Sequence, residues 1–594
     1  LKLNSLIKRL QKKYKGDLNL SLINANNTPL KVASNINLKD LSNLRLKFDR
    51  LEFLKIKKKI IEKTKHTLLT LYRNLIKLRI YNYKGIFFPK LFEFDLSLFL
   101  NEVFGNYEVL KQILYKEKYD KIILFNYNRY ILDFFKVLNS SSNNLLLFKD
   151  YLFLKSSNIL NFLSVSKYIF LVFGIYIKQL LLRNNFRNNV RNKNKRKKII
   201  FYANTENQFI STKPIYDFLK KDPRLNPIFY SSQTYLNLKN LIEMFRYTLW
   251  TKNLLLNHKE EISRNLYYNS VNLENVLKIF YFNVFSIDLI RLFNILNNFI
   301  NFIRKIPPKL VIITNDFLPS MRMIAKYSKL KNIHTLYIPH AAIPIIDEMV
   351  TKNDIEYFAL GGEIDKKYYI IKGIPPEKIK VTGVPRYEYF FKNPKHNLDE
   401  IKDIFDGRRY KIDKDKFTVL LTTNPIDDES NEKIISSVIN SLKDFKLENN
   451  LIIKLHPREN GRIHRTVLKK LKVEPIITKN YKILDIIASC DLLFSQKSTT
   501  ILEAMLVGTP IIVLDFINKG FKETSRYMFL DEKFVNVVKN EEELNKRIQE
   551  LFSNDHLKEE YHKKLTENAR LFSFYDPQKP PIERIASFIL KLIE

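Results

Sequence analysis

The sequence predicts an α/β protein with two Rossmann-like domains, preceded by a basic, mainly helical N-terminal region. After Lys198, short β-branched or aromatic runs alternate with stretches of helical periodicity, which is typical of βα units and parallel sheets. These runs fall into two sets, separated by a polar segment from about residue 392 to residue 416. The chain of 594 residues also exceeds the size of a single hydrophobic core, so several domains are expected.

The N-terminal region, residues 1–197, is expected to be mainly helical. From Arg50 to Ile80 the apolar residues recur at mixed spacings of three and four, which indicates an amphipathic helix with basic residues on its polar side. This helix either packs on a domain with a solvated basic face or lies on anionic lipid. One strand-like run follows at Lys121–Asn126, and it leaves open whether residues 1–150 are an accessory domain or the start of a Rossmann unit.

The end of this region, residues 158–198, is a candidate membrane-surface segment. The apolar stretch from Tyr168 to Ile177 is too short for the ~20 residues that cross a bilayer. It is followed by Arg183–Lys198, which carries eight positive charges among asparagines. This arrangement favours either an interfacial helix with a polybasic flank or a plain linker. We expect a cytoplasmic protein, which in the first case is peripheral on the inner face of the cell membrane.

The charge of the chain predicts an anionic partner. The sequence has 100 Lys and Arg against 62 Asp and Glu, a net charge of +38. A membrane surface, a phosphorylated substrate or a nucleic acid would each match this charge, and a biased genome composition is the alternative. Nucleic acid is not expected, because no aromatic-rich binding motif accompanies the charge. The only cysteine, Cys490, excludes an internal disulfide framework and is expected to be a buried thiol.

The two Rossmann-like domains are expected at residues 198–395 and 396–594. In open α/β sheets ligands bind beyond the carboxyl ends of the strands, so the residues that end each apolar run are the candidates for a site. These residues are polar in both domains, and they point to a shared cleft: Asn315, Asp316, His340, Arg386, Asn424, His456, Ser498 and Thr499.

The stretch Ser495–Phe516 has two interpretations. Thr500 and Glu503 have the spacing of a capping box, which is purely structural. Alternatively, free amides at this helix start and the hydroxyls of Ser498 and Thr499 hold a phosphate, with Glu503 accepting from a ribose hydroxyl.

The two histidines are also open to two interpretations. His456 precedes Pro457, which favours an extended strand end, and Arg458 makes the loop cationic and suited to a phosphate. His340 is either a packed residue or part of the site.

Four motifs, in this order along the chain, resemble the GT-B superfamily branch that contains CDP-glycerol glycerophosphotransferases, capsule and polysialic-acid-type transferases and UDP-N-acetylglucosamine 2-epimerases. They are TLYIPHAA, IKGIPPEKIKVTGVPRYEYF, LIIKLHP and DIIASCDLLFSQKSTTILEAMLVGTPIIV. The resemblance implies two facing Rossmann domains, the first for the acceptor and the second for a nucleotide-activated donor. It covers about two-thirds of the chain, from Lys198 onward.

The resemblance also implies roles for individual residues. By position, His456, Ser498 and Thr499 would bind the donor phosphates, and Glu503 would contact the ribose. Arg386 matches the arginine of the family's Gly-x-Pro-Arg turn, and it is a further candidate for donor binding with Asn424 and Arg458, which the strand ends and the loop charge indicate. His340 would be the catalytic base, although Ala341 stands where the family commonly has glycine, and Tyr387-Glu388 follow Arg386 where Arg-x-Asp is often seen.

The expected function is transfer of a glycosyl or glycerol-phosphate group from a CDP-, CMP- or UDP-linked donor to a surface polysaccharide or glycolipid. Helix amides and cations would stabilise the departing phosphate, and a histidine is suited to take the acceptor proton. No metal and no cofactor are expected, since Asp427 and Asp428 are more typical of a helix start than of a metal motif. The alternatives are a UDP-N-acetylglucosamine 2-epimerase-like enzyme and a nonenzymatic basic binding protein.

Overall fold

A computed structural model of the chain describes most of its residues. The described ranges are 20–24, 37–40, 50–78, 82–116, 121–125, 129–138, 145–148, 196–231, 257–283, 288–346, 353–388, 416–426, 428–444, 449–479, 483–515, 527–553 and 555–594. Of the candidate membrane-surface segment, residues 158–195 lie outside the described residues. Within the described part of the chain, no helix is both long enough and apolar enough to span a bilayer.

Most of the described strands belong to three parallel sheets. In chain order they are β1 (Leu20–Asn24), β2 (Asn37–Asp40), β3 (Asn82–Tyr83), β4 (Ile86–Phe87), β5 (Lys121–Phe125), β6 (Leu145–Phe148), β7 (Lys197–Tyr202), β8 (Leu225–Tyr230), β9 (Tyr267–Tyr268), β10 (Val271–Asn272), β11 (Leu310–Ile313), β12 (His334–Tyr337), β13 (Tyr357–Leu360), β14 (Ile379–Val381), β15 (Phe417–Thr422), β16 (Asn449–Lys454), β17 (Ile476–Thr478), β18 (Leu492–Ser495), β19 (Ile511–Leu514) and β20 (Asn536–Val538).

The helices alternate with these strands over most of the chain. They are α1 (Arg50–Lys77), α2 (Glu93–Lys116), α3 (Arg129–Leu138), α4 (Glu206–Lys220), α5 (Lys259–Ser263), α6 (Glu274–Asn283), α7 (Leu289–Lys305), α8 (Pro319–Leu330), α9 (Glu363–Ile371), α10 (Asp428–Asp444), α11 (Arg462–Leu471), α12 (Ile483–Ala488), α13 (Thr500–Val507), α14 (Glu541–Ser553), α15 (Asp555–Phe572) and α16 (Pro581–Ile593). Short 3-10 helices are found at Phe88–Phe92, Pro376–Lys378, Pro385–Tyr387 and Met528–Leu530.

The second Rossmann-like domain is built on a six-stranded parallel sheet with the order β17-β16-β15-β18-β19-β20. Numbered from β15, this is the order 3-2-1-4-5-6 of the dinucleotide-binding fold, which reverses direction between β15 and β18. Leu420 of β15 pairs with Ile452 on one side and Leu493 on the other, and all three are buried. Burial of the sheet on both faces explains why its strands are continuous apolar runs in the sequence.

The first Rossmann-like domain has a second six-stranded parallel sheet, ordered β14-β13-β12-β11-β7-β8. Its order reverses between β7 and β11, so ligand-binding loops are expected at the carboxyl ends of β7, β11 and β12. His340 lies in the loop that follows β12, next to the loop after β11. The predicted fold class, two Rossmann-like domains with an N-terminal region, is therefore confirmed.

The N-terminal region shares a hydrophobic core with the first domain. Leu68 and Leu71 of α1 and Phe104 of α2 belong to the same buried cluster as Tyr202 of β7 and Ile313 of β11. This packing accounts for the apolar side of the helix predicted at Arg50–Ile80. The region is also more than helical, since four of its strands form a parallel sheet with the order β2-β1-β5-β6.

A buried ion pair fastens this region to the first domain. Arg322 of α8 lies 3.3 Å from the carboxylate of Glu93 at the start of α2, and its guanidinium also donates a 2.6 Å hydrogen bond to the carbonyl of Lys90. Both side chains are buried. The N-terminal helices are therefore a structural part of the first domain.

The last helix of the chain returns to the first domain. Ile585 and Ile589 of α16 pack in one buried cluster with Ile199 and Phe201 of β7. The expected second domain, residues 396–594, includes α16, but this helix packs on the sheet of the first domain. Before this helix, the main chain passes so close to β14 that a Cβ on Gly383, whose φ is +84°, would lie 2.1 Å from the carbonyl oxygen of Phe574.

Candidate active site

His340 lies at the carboxyl edge of the first sheet with its imidazole held in one orientation. Its Nδ1 is 2.7 Å from the carbonyl oxygen of Thr314, which follows β11, and its backbone N–H donates to the same oxygen at 3.3 Å. A carbonyl can only accept, so Nδ1 carries the proton in the neutral ring. The unprotonated Nε2 is thereby available as a base.

Burial lowers the pKa of His340, and the nearby charge of Arg386 lowers it further. The Thr314 carbonyl and the carboxylate of Asp316 act in the opposite direction, since both favour the imidazolium. Asp316 is half-buried, desolvation raises the pKa of its carboxyl, and it accepts hydrogen bonds from the Tyr369 hydroxyl at 2.7 Å and from Asn353 at 3.2 Å. His340 is therefore neutral at neutral pH, and a carboxylate lies nearby to stabilise the proton it receives.

A cleft lies beside His340, and residues of both domains line it. Pro339 and Ala341 line it from the first domain, while Leu502 and Phe529 line it from the second. Asp365 also lines this cleft, and burial raises the pKa of its carboxyl to about 7. Loop residues of both domains thus share this opening, whereas His340 itself is not among the residues that line it.

The reversal point of the second sheet brings Asn424 to the loop that contains Ser498. Asn424 follows β15, and its side-chain amide donates at 3.4 Å to the Gln496 side chain and at 3.4 Å to the Lys497 carbonyl, both after β18. Gln496 is buried, and its amide nitrogen has no hydrogen-bond partner among the described residues. This is the crevice in which a doubly wound sheet binds its ligand.

The helix start at Ser498 and Thr499 differs from a capping box, so that interpretation is wrong. Thr499 occupies the N-cap position, and its side chain makes no capping hydrogen bond. The Thr500 hydroxyl lies 3.2 Å from Ser495 Oγ, and the Ser498 hydroxyl accepts from the Thr500 amide at 3.3 Å. Glu503 does not reach back to the helix start, because it binds Arg386 instead.

Glu503 and Arg386 form a buried ion pair between α13 and the turn after β14. Arg386 Nη2 donates to Glu503 Oε1, and Oε2 makes no hydrogen bond to any described residue. Burial raises the pKa of Glu503, and the charge of Arg386 only partly offsets this rise. The positive charge of Arg386 also lowers the pKa of His340, so the ion pair links the loops at the edges of both sheets.

The turn that contains Arg386 is fixed on both sides of it. Gly383 allows the close passage of Phe574, as described above, while the Tyr387 ring is buried in the core of the second domain. The carboxylate of Glu388 accepts from the Ile582 amide at 3.0 Å, at the start of α16. Tyr387 and Glu388, which depart from the common family pattern, therefore hold the turn between the domains.

The His456 loop after β16 is ordered by a dense set of hydrogen bonds. The amide of Arg458 donates to His456 Nδ1 at 3.1 Å, so in the neutral ring the proton lies on Nε2, which can donate to an anion. Burial lowers the pKa of His456, and the charges of Arg458, Lys454 and Lys479 add to this effect. These same cations favour an anionic ligand at the loop.

Two polar residues of the site were not predicted from the sequence. Glu459 accepts from the His456 amide at 2.8 Å and from the Thr423 hydroxyl at 2.6 Å, and Gln496 contacts Asn424 as described. The spacing of three between His456 and Glu459 is the available signal for the first, since it matches a side chain that reaches back to a loop amide.

The structure places the predicted residues in two groups at the facing sheet edges. His340 and Arg386, with Glu503, form the first, and Asn424, Ser498 and Thr499, with the His456–Arg458 loop, form the second. The two groups meet at α13, which carries Thr499 at its N-cap and Glu503 in its first turn.

Comparison with protein families gives a match to part of the chain. Residues 366–591 match the family model described as CDP-Glycerol:Poly(glycerophosphate) glycerophosphotransferase. The matched segment begins in α9 and includes Arg386 and all the predicted site residues of the second domain. The predicted resemblance to CDP-glycerol glycerophosphotransferases is confirmed by this match, and so is the expectation of a transferase enzyme that uses a nucleotide-activated donor. Among curated proteins, no relative matches the chain significantly.

Solved structures with a similar chain course have low sequence identity. A UDP-GlcNAc 2-epimerase from Neisseria meningitidis is 14% identical, with 67% of this chain and 99% of that chain covered and a TM-score of 0.42. The wall teichoic acid polymerase TagF is 13% identical, with coverage of 71% and 97% and a TM-score of 0.39. A glycosyltransferase from Rickettsia africae is 14% identical, with coverage of 68% and 98% and a TM-score of 0.39.

Proposed function

We propose that the protein transfers glycerol phosphate from CDP-glycerol to the terminal hydroxyl of a polyol-phosphate or glycolipid acceptor. The observation that carries this proposal is the pairing of two oriented histidines at facing sheet edges, within a chain that matches the glycerophosphotransferase family. His340 has an unprotonated Nε2 suited to a base, whereas His456 has a protonated Nε2 suited to bind an anion.

The proposed reaction takes place at the phosphorus that carries the glycerol. The acceptor hydroxyl oxygen forms the new bond to this phosphorus, and the bond from it to the bridging oxygen breaks. CMP leaves with the bonding electron pair, and the acceptor proton passes to His340 Nε2. The Thr314 carbonyl and Asp316 then stabilise the imidazolium, as their effects on the pKa of His340 indicate.

The second domain would bind the diphosphate at the reversal point of its sheet. Asn424, Ser498 and Thr499 supply an amide and two hydroxyls, and His456 with Arg458 supplies N–H donors and positive charge. Fixed donors aimed at a departing phosphate lower the barrier, since they need no reorganisation during the reaction. The N–H groups at the start of α13 would act in the same way.

We propose that Glu503 Oε2 accepts a hydrogen bond from a ribose hydroxyl of the donor. This oxygen is buried and makes no hydrogen bond to a described residue, although burying an unpaired carboxylate oxygen is costly. Arg386 holds the other oxygen and so fixes the carboxylate for this role.

The donor is tested by incubating purified protein separately with CDP-glycerol, CMP-sugars and UDP-sugars and measuring the released nucleotide. We expect CMP from CDP-glycerol, and a CDP affinity that falls at least about tenfold in His456→Ala, as for loss of a charge-assisted contact. If none of these nucleotides is bound or consumed, the transferase proposal is wrong. Epimerised UDP-N-acetylglucosamine would instead support the epimerase alternative.

The catalytic role of His340 needs its own variant. His340→Ala should bind CDP-glycerol with nearly unchanged affinity but transfer glycerol phosphate at least about a hundredfold more slowly, which is the size of a lost general base. Lys367→Ala, at an exposed position of α9, is the control that should leave both quantities unchanged. A His340→Ala variant with wild-type turnover would remove the histidine from the mechanism.

A further inference from the structure

Glu459 connects the two strand ends that carry Asn424 and His456. Its Oε2 accepts from the Thr423 hydroxyl at 2.6 Å and from the His456 amide at 2.8 Å, and these donors follow the neighbouring strands β15 and β16. The Glu459 amide also donates to the His456 carbonyl at 2.9 Å. One carboxylate therefore fixes the separation of two loops that the proposed donor site needs together.

The second oxygen of Glu459 faces two further side chains. Asn431 Nδ2 is 3.4 Å from Oε1 and 3.5 Å from the Asn424 carbonyl, so α10 is tied to both residues. His464 Nε2, in α11, lies 3.5 Å from Oε1. Glu459 and His464 are both buried. The carboxylate thus accepts from the His456 amide and from the side chains of Thr423 and Asn431, while His464 lies near it without a hydrogen bond.

These contacts determine how His456 presents its proton. With the loop held by Glu459, the Arg458 amide donates to His456 Nδ1, and the ring proton must lie on Nε2. If the loop relaxes, this amide leaves Nδ1 and either ring nitrogen can carry the proton. A phosphate accepts hydrogen bonds. In the observed loop conformation His456 can therefore donate to it only when Nε2 carries the ring proton.

We infer that Glu459 is a positioning residue for the donor diphosphate, acting through His456 and Asn424. The inference rests on the proposed function, since it assumes that His456 contacts a phosphate group. Glu459 itself does not touch the ligand in this account.

The conservative variant Glu459→Gln tests the carboxylate without emptying the site. The His456 amide can only donate, so the new amide oxygen must face it, and the new NH2 group then meets Asn431 and His464. We expect about tenfold weaker CDP binding, the size typical of losing a partner that orients a ligand-binding side chain. Glu459→Ala should weaken CDP binding further. Glu432→Gln, in the same helix as Asn431 but paired with exposed Lys470, is the matched control.

A merely structural role predicts a different result. Cytidine has no phosphate, so its affinity should be unchanged in Glu459→Gln if the variant acts through His456, whereas general disorder of the domain would weaken cytidine and CDP alike. Thermal unfolding of each variant, measured beside the affinities, identifies a change that only unfolds the protein.

The deciding experiment is a double-mutant cycle on CDP affinity, measured by calorimetry with the full chain. We expect Glu459→Gln to change the affinity little in a His456→Ala background, because the residue it positions is absent. Equal losses in both backgrounds, or an unchanged CDP affinity in Glu459→Gln, would overturn the inference while the proposed function stands. If the wild-type chain binds cytidine and CDP with no difference, or binds neither, both the inference and the proposed phosphate site are wrong.

Discussion

The buried pair of Arg386 and Glu503 gives a prediction whose size follows from the structure. Replacing Arg386 by Met removes the cation from a carboxylate that is almost fully buried. Breaking a buried pair from one side costs about 3–5 kcal/mol, because the remaining charge has no compensation. For a domain of about 150–250 residues this corresponds to a fall in Tm of about 6–20 °C.

Two matched variants isolate the charge. Arg386→Met combined with Glu503→Gln leaves no buried charge and should recover most of the lost stability. Arg547→Met breaks the exposed pair with Glu550, and it should cost less than about 1 kcal/mol. Thermal unfolding followed by calorimetry compares the four proteins under identical conditions.

The pH dependence of Arg386→Met has a defined sign. The folded-state pKa of Glu503 is already above the ordinary value of 4.5, and loss of Arg386 raises this pKa further. Below the pKa of Glu503 in the folded wild-type protein, its carboxyl is protonated in both proteins, so the variant loses little stability. The loss grows as the pH rises through that pKa, because the variant has no cation beside the carboxylate. An Arg386→Met variant as stable as wild type at about pH 8, or a double variant no more stable than the single one, would show that the buried charge of Glu503 does not need Arg386.

Three further predictions concern the base, the backbone and the metal. Since burial lowers the pKa of His340 and a base must be unprotonated, the acid limb of kcat/KM should have its midpoint below 6.5; a midpoint well above 6.5 would contradict this. Gly508→Ala should lower the free energy of unfolding by more than about 1 kcal/mol, because Gly508 has a φ of +78° and a Cβ there would lie 2.0 Å from the His562 ring; chemical denaturation measures this, and an unchanged midpoint would refute it. Transfer should persist in excess EDTA, since side-chain cations and helix amides are proposed to stabilise the phosphates; loss of activity restored by a divalent cation would show that a metal is required.

The strand ends were predictable from the sequence because parallel sheets have a simple rule. Buried strands read as apolar runs, and a polar residue that ends such a run lies at the ligand-binding edge. His340, Asn424 and His456 follow this rule, and each lies beyond the carboxyl end of its strand. The thiol of Cys490 is buried, as its apolar surroundings predict.

Long-range partners were not predictable in the same way. Glu503 has the spacing of a capping box with Thr500, yet its partner Arg386 lies 117 positions away, in a turn that only the folded chain brings close. An ion pair with a guanidinium competes with a reach back to the helix amides, and in the buried setting the ion pair prevails. The capping-box spacing therefore identified Glu503 as a residue with a specific partner. That partner is Arg386 and not the amides at the helix start.

The packing of the last helix was not predictable for a related reason. The sequence of α16 is amphipathic, but amphipathicity does not say which core the apolar side enters. The glycines at 361, 362 and 383 allow the segment around Phe572 and Phe574 to cross close to the first sheet, which returns α16 to it. Only the combination of these distant residues specifies the crossing.

In the proposed reaction, the acceptor attacks the glycerol-bearing phosphorus of CDP-glycerol. Phosphorus NMR of CDP-glycerol mixed with the protein and a short glycerol-phosphate oligomer tests it directly. Attack at this phosphorus predicts that the diphosphate signals disappear while the CMP monoester and a new phosphodiester appear in equal amounts. Diphosphate signals that persist, or CMP that appears with free glycerol phosphate and no new phosphodiester, would contradict it.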